Sequence, residues 1–444
     1  MPAKSATFLD ANAGLPLHPS ARRALLEALE RNEDGFPFNP ASPHSLGQNA
    51  KRVLERARRQ ILHSLVSEEA RRSNRVESSG SFLFTGSGTE ANQWVIRAIL
   101  DRPQGSPSGL HWVTTAAEHD SVLQMIDWAR ERGIRVTVLP LDSRGQPSFE
   151  DYRRALESDL PPTLISILLA NNETGVILDR PSPIEESSSL AERVSSWVSA
   201  AKACGALVHF DGAQVWGKLP LELDRLGGDF VTFSGHKIGG MAGSGGVWLS
   251  PGQSQGSKAA PGRLILGKAE QGKRGGTASV LAALLLGEAA AATSETLLEK
   301  QNTISQIRNA FENGLLARFG DRVLLNGSGS PRLAGTSNIT FVELDGEGLV
   351  AALDLEGFAV SSGSACSSGT LEPSHVLLAM GRTREEARAS LRVSFSSESL
   401  LSHESSHALV TRFVDTLEKV VHRMTRAPNL RTSSGVPTHS EASS

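Results

Sequence analysis

Val231-Thr-Phe-Ser-Gly-His-Lys-Ile-Gly-Gly240 is a β-like apolar run that breaks at Ser234 and at once presents His236 and Lys237 beside two glycines. A lysine at a strand tip, hemmed in by apolar residues, is placed so that its amine can lose its proton and condense with an aldehyde. Taken alone, Lys237 reads as an ordinary surface lysine, and other groups change that. Ser81-Phe-Leu-Phe-Thr-Gly-Ser-Gly-Thr-Glu-Ala-Asn92 combines an apolar run, a glycine turn and a helical pattern. Backbone N–H groups of such a turn and the positive helix end would hold a phosphate, with the Thr89 hydroxyl adding a donor. Asp211, at the end of Ala206-Leu-Val-His-Phe210, would stay ionised beneath a protonated pyridine nitrogen. Gln214 could donate to a phenolic oxygen, and His119 could lie flat on a ring and move protons. A phosphate cradle, an imine-forming lysine and a separate acid are what pyridoxal phosphate needs from a protein.

These groups must be brought together by the elements that carry them. His111-Trp-Val-Thr-Thr ends at Glu118-His119-Asp120, and residues 163–170 end at Asn171-Asn-Glu-Thr-Gly175; the runs before Asp211 and Ser234 repeat the pattern. Each run is short enough for a buried strand, with helical patterns between. Alternation of this kind predicts an α/β fold with a mostly parallel sheet, whose ligands collect outside the carboxyl ends of the strands.

The chain of 444 residues is 39% hydrophobic and 21% charged, long enough for two domains, and its formal net charge of −3 calls for neither nucleic acid nor an anionic membrane. No stretch stays apolar for about 18 residues, and the N-terminus lacks a basic region followed by an apolar core, so a soluble, cytoplasmic protein is expected. Cys204 and Cys366 are the only cysteines, which excludes a disulfide framework and a four-thiolate metal site from one chain. Cys204 precedes a strand and fits a buried structural role. Cys366 lies in Ser361-Ser-Gly-Ser-Ala-Cys-Ser-Ser-Gly369, where small neighbours leave a mobile thiol uncovered.

In chain order, helices are predicted over 20–31 and 48–66, a solvent-facing insertion over 67–80, and one long helical pattern over 279–318. Strands are predicted over 337–344 and 358–361. The expected organisation is an N-terminal segment, 1–19, packing with the smaller domain; a large cofactor-binding domain, 20–262; a small C-terminal domain, 263–426; and a disordered tail, 427–444.

Asn39-Pro-Ala-Ser-Pro-His44, Thr85-Gly-Ser-Gly-Thr-Glu-Ala-Asn92, Glu118-His119, Asn171-Asn-Glu-Thr-Gly175, Ser234-Gly-His-Lys237 and Gly363-Ser-Ala-Cys-Ser-Ser-Gly369 carry a resemblance. The chain resembles the cysteine desulfurases of the NifS/IscS type, within the class V aminotransferase fold family of pyridoxal phosphate enzymes. The resemblance implies an aspartate aminotransferase-like fold, a mostly parallel seven-stranded-type sheet with helices on both faces plus a smaller α+β domain. It implies that Lys237 carries the cofactor as an imine, Asp211 pairs the pyridine nitrogen, Gln214 meets the phenolic oxygen and His119 stacks on the ring. Gly88, Thr89, Ser234 and His236 would bind the phosphate, and Thr277 would complete the partner subunit's phosphate site in a homodimer. Asn172 would sit near both ring and substrate; Arg392 would grip the substrate carboxylate, with Asn12 beside it.

Cys366 would then take sulfur from L-cysteine as a persulfide, leaving alanine and passing the sulfur to an acceptor such as an iron–sulfur scaffold. No resident metal is expected, with Cys366 at most a transient iron–sulfur ligand. Three departures from the family pattern stand out: Ala13-Gly14-Leu15 after Asp10, the Gly-rich loop 238–245 without its usual basic residue, and Gly276 and Ser396 where Ser and Gly are common. A selenocysteine lyase or an aminotransferase of the same fold, and a catalytically silent interaction protein, are the alternatives.

Overall fold

The computed structural model describes residues 6–30, 38–101, 109–181, 188–254, 262–294, 297–342, 344–362, 372–397 and 405–426. Cys366 and the tail 427–444 lie outside the described residues. The larger sheet has seven strands in the spatial order Ser81–Thr85, Gly245–Leu249, Phe230–Ser234, Leu207–Asp211, Leu164–Leu168, His111–Thr115, Arg135–Leu139. All neighbours pair in parallel except Gly245–Leu249, which runs antiparallel to both of its partners. Thr85, Thr115, Leu168, Asp211 and Ser234 therefore end at one edge, as the alternating pattern predicts. The central strands are buried along their whole length and read as continuous apolar runs because helices cover both faces.

Helix Ser45–Leu65 starts where the His44 side chain accepts the N–H of Gly47, and buries Leu54, Ala57, Ile61 and Leu65 at helical spacing. Against it packs Val280–Ser294, apolar on nearly all sides and accordingly enclosed. The long helical pattern over 279–318 is in fact two helices, Val280–Ser294 and Leu297–Phe319. The first buries Ala283, Leu285, Leu286 and Ala289 in the core of the large sheet, while the second joins a separate core. The change of core thus falls between these helices, later than residue 263, where composition alone shifts. Composition marks the Gly- and Ser-rich stretch; packing follows the apolar faces.

The second core lies between the antiparallel sheet Ser361–Ser362, Ser390–Ser394, Thr336–Phe341, Val323–Asn326 and helices that include Leu297–Phe319 and Ser406–Arg426. Thr7–Phe8 pairs in parallel with Phe358–Ala359, and Leu9 is buried in this same core. From there Asp10 to Gly14 cross to the edge of the larger sheet.

The segment 67–80 is largely solvent-facing, as expected, and is also docked through its ends. Ser67 caps the helix Glu68–Arg72 and donates from its N–H and Oγ to Asp224, at 2.8 and 2.6 Å, while Arg225 pairs with Glu69 at 2.9 Å. Its polar composition reflects docking through hydrogen bonds rather than apolar area. Among the described residues, no single helix is long and apolar enough to cross a membrane.

Candidate active site

A cavity of about 300 Å³ opens at the carboxyl edge of the large sheet, within the range of small-molecule sites. Its walls include Gly88, Thr89, His119, Asn172, Asp211, Gln214, Ser234, His236, Lys237 and Arg392, together with Asn12. Every described site residue predicted from the sequence lines it except Thr277; Cys366 lies outside the described residues.

One end is an anion cradle. Ser87 caps the helix Gly88–Leu100, its Oγ accepting the N–H of Glu90 at 3.0 Å, and Gly86 N–H goes to Glu90 Oε2 at 2.8 Å. The N–H groups of Gly88 and Thr89, in the first turn, have no intrahelical acceptor, and the helix dipole adds positive potential there. Glycine at 88 allows close approach to the neighbouring strand tip, since a Cβ there would sit 3.0 Å from Ser234 Cβ, tighter than ordinary contact. Ser234 Oγ lies 3.0 Å from His236 Nδ1. Burial, and after it the nearby Lys237 cation, push His236 down to about 4, so it meets an anion as a neutral ring.

The other end is a buried carboxylate held by a one-way chain of donors. Asp211 Oδ2 accepts Asn92 Nδ2 at 2.7 Å and Oδ1 accepts the N–H of Ala213 at 2.9 Å. Asn92 Oδ1 accepts the Thr232 hydroxyl; Thr232 Oγ1 lies 3.1 Å from His209 Nε2, and His209 Nδ1 lies 2.7 Å from Ser166 Oγ. Because Thr232 gives its proton to Asn92, it must accept from His209, which places the His209 proton on Nε2 and makes Ser166 the donor to Nδ1. Burial pushes His209 down to about 3, so this ring is neutral. The donations in this chain run toward Asp211 and give its carboxyl oxygens two donors, Asn92 Nδ2 and the N–H of Ala213.

The same Asn92 Nδ2 donates to Ser121 Oγ at 2.8 Å, which leaves that hydroxyl to donate to His119 Nδ1 at 2.9 Å. The N–H of Ser121 also reaches His119 Nδ1, at 3.1 Å. His119 is thus the cap of Asp120–Glu131 with its Nδ1 engaged as acceptor; in the neutral ring the proton sits on Nε2.

Lys237 Nζ donates to the carbonyls of Asn12 and Ala13 at 2.6 and 2.9 Å. Gly14 belongs to this contact: Leu15 N–H reaches His236 O at 2.8 Å, and a Cβ at Gly14 would come within 2.9 Å of His236 Cδ2. The departure Ala13-Gly14-Leu15 is therefore what lets the N-terminal segment lie on the lysine loop. Gln214 Nε2 donates to Asn12 O at 3.0 Å, and Lys218 Nζ reaches Gln214 Oε1 and Asn12 Oδ1 at 2.6 and 2.7 Å. With Asn12 Nδ2 on Asn172 O and Thr336 Oγ1, both ends of the Asn12 side chain are engaged by protein.

Arg392 is 2% exposed; its Nη2 pairs with Asp10 Oδ1 at 2.7 Å, its Nη1 donates to Asn172 O at 3.1 Å, and its Nε is buried with no hydrogen-bond partner among the described residues. Such a donor at a cavity wall suits an arriving carboxylate. Ser374 bonds to Glu173, and His375 Nε2 reaches the carbonyl of Glu118 at 3.0 Å. The chain just after the Cys366 segment is thereby tied to two strand tips at the cavity's edge.

His209, Thr232, Asn92, Ser121 and Lys218 escape sequence reasoning. A signal for His209 exists, since it stands two residues before Asp211 and so on the same face of the strand. Cys204 ends the helix Leu190–Ala203, half-buried, with its Sγ donating to Ala201 O at 3.2 Å. No group of three or more His, Cys, Asp or Glu able to hold a metal occurs among the described residues.

An anion cradle, a hydrogen-bonded acid, an imidazole and a lysine around one cavity fit pyridoxal phosphate, and on this sheet they define the class of enzymes that use it. Comparison with known proteins agrees. The pattern of the family described as Aminotransferase class-V matches residues 24–400. The chain is 32% identical over 420 residues to cysteine desulfurase 2 of Trichormus variabilis, covering 95% of this chain and 94% of that protein. It is 34% identical to the cysteine desulfurase of Cereibacter sphaeroides, covering 94% and 96% of the two chains. Among solved structures, the NifS-like protein from Rickettsia africae superposes with a TM-score of 0.76 at 27% identity, over 94% of this chain and 99% of that one. The chain belongs to the class V aminotransferase family, among the pyridoxal phosphate-dependent cysteine desulfurases of the NifS/IscS type.

Proposed function

We propose that the protein takes sulfur from L-cysteine, releasing L-alanine and holding the sulfur as a persulfide on Cys366 for transfer to an iron–sulfur scaffold or another thiolation acceptor. The observation that carries this is the convergence of Lys237, Asp211, Gln214, His119 and Arg392 on one cavity beside the anion cradle of Gly88 and Thr89. Pyridoxal phosphate, when bound, supplies an electron sink for the substrate's α carbon.

The residues supply the rest. Gly88, Thr89, Ser234 and His236 would hold the phosphate, Asp211 would pair with the pyridine nitrogen, and Gln214 would donate to the phenolic oxygen. Arg392 takes the substrate carboxylate through its fork. The Lys237 amine would take the α proton, and His119, with Nδ1 engaged by Ser121, would exchange protons near the substrate through Nε2. The Cys366 thiolate attacks the substrate sulfur: an S–S bond forms, the C–S bond breaks, and its electron pair stays on carbon, which takes up a proton on the way to alanine. Thr277, exposed and outside the cavity of its own chain, completes the site of a partner subunit.

Incubation of the purified holoenzyme with L-cysteine and a thiol reductant should give alanine and sulfide in equal amounts. Cys366→Ala should lose sulfide release while keeping the coenzyme's visible band. Unchanged turnover in that variant removes Cys366 from the scheme, and turnover of selenocysteine but not cysteine makes the protein a lyase of the other chalcogen.

A further inference from the structure

We propose that Lys218 is a positioning residue of this site: its amine fixes the orientation of the Gln214 carboxamide, so that Gln214 presents N–H rather than oxygen to the coenzyme's phenolic oxygen. This rests on the role given to Gln214 above. Lys218 Nζ lies 2.6 Å from Gln214 Oε1 and 2.7 Å from Asn12 Oδ1. A lysine ammonium only donates, so both facing atoms are oxygens and both amide nitrogens lie on the other side. There Gln214 Nε2 gives one N–H to Asn12 O at 3.0 Å and keeps a second. Asn12 Nδ2 reaches Asn172 O at 3.1 Å and Thr336 Oγ1 at 2.9 Å.

The carbonyl of Asn12 also accepts Lys237 Nζ, at 2.6 Å. A single side chain thus orders both the amide that meets the ring and the residue that holds the reactive lysine. Without Lys218 only the Asn12 carbonyl, which accepts from Nε2, still holds that orientation, and half a turn of the carboxamide would set its lone pairs against those of the phenolic oxygen. The charged groups that act on Lys218 are Lys237 and Arg392, which with burial as the larger cause lower its pKa, and Asp10, which raises it. Were Lys218 to lose a proton, its two remaining N–H groups would still match its two acceptors.

The test is a pH titration of the coenzyme's visible band in the holoenzyme, for the parent, Lys218→Met, Gln214→Ala and the double variant, each with a thermal melt to show folding. Losing a donor to the phenolic oxygen and losing a nearby cation both favour the protonated chromophore. The midpoint in Lys218→Met should therefore rise by about one pH unit, and Lys218→Arg should bring it back toward the parent. In the Gln214→Ala background the rise should fall to roughly half or less, because the two residues act as one unit.

A parent-like midpoint in a Lys218→Met protein that keeps its band overturns the proposal while leaving the coenzyme site intact. Equal shifts in both backgrounds overturn it too, since Lys218 would then act by charge alone. A Gln214→Ala midpoint equal to the parent's overturns the role of Gln214 and the proposal with it. If Lys218→Met does not fold, Lys218→Gln takes its place in the same comparison: a rise that shrinks in the Gln214→Ala background supports the positioning role, and an unmoved midpoint or equal rises in both backgrounds reject it.

Discussion

Arg392 shows how much a single side chain carries here. It is nearly fully buried, its Nη2 pairs with Asp10, and its Nε has no partner among the described residues. Removing it altogether would leave the Asp10 carboxylate without its ion-pair partner and take one of two donors from the carbonyl of Asn172, so truncation would confound stability with binding. Arg392→Lys keeps the charge and loses the fork. Its KM for cysteine should rise about tenfold or more, as for the loss of one charge-assisted hydrogen bond, with a smaller effect on kcat. Steady-state kinetics check this, and an unchanged KM would move the substrate carboxylate elsewhere. His119 is a second case: as the helix cap it has one ring nitrogen committed to Ser121, which turns a loop histidine into a group with a defined tautomer.

At the scale of the element, the strand tips are held by buried polar groups as well as by apolar packing. Glu118, between the end of His111–Thr115 and His119, accepts the Thr115 hydroxyl at 2.7 Å and the N–H of Leu168 at 3.0 Å, tying two strands together. Burial, with a smaller contribution from the Asp211 charge, raises it from 4.5 to about 8. A raised carboxyl favours the folded state most below its unfolded value. That stability is fully present below 4.5 and is lost as pH climbs toward 8, because only the unfolded chain ionises in this window. Glu118→Gln keeps an acceptor for both neighbours and abolishes the titration. Its melting temperature should fall less between these pH values than the parent's and exceed it at the alkaline end; parallel curves would show that Glu118 is ionised in the folded protein.

For the whole molecule, the anion cradle at Gly88 and Thr89 is built by one chain, and Thr277 of that chain does not line its cavity. Thr277 is exposed, and Ile265 and Leu266, in the segment leading to it, are 48% and 81% exposed. A second copy covering this segment would bury that apolar area and bring Thr277 to the other cradle. Light scattering should give twice the chain's mass. Thr277→Ala should leave the dimer intact while weakening pyridoxal phosphate binding about tenfold, the loss expected for one hydrogen bond to a charged group, measured by coenzyme titration of the apoprotein. A monomer that binds the coenzyme equally well would reject the shared site.

The parallel sheet and its reactive edge are legible in the sequence because each strand is a short apolar run with its polar group directly at the tip, a local pattern fixed by burial on both faces. Lys237, Asp211, Gln214 and His119 are found this way. The antiparallel strand Gly245–Leu249, inserted between two parallel neighbours, is hidden because its glycines hide the apolar run. The break between Val280–Ser294 and Leu297–Phe319 is hidden because helical periodicity does not say which of two cores a helix will join. The donor chain from Ser166 to Asp211, and the clasp of Lys218 on Gln214 and Asn12, join residues up to 206 positions apart. Hydrogen-bond direction between distant side chains leaves no periodic trace, so only the folded chain, by bringing those atoms within reach, decides it.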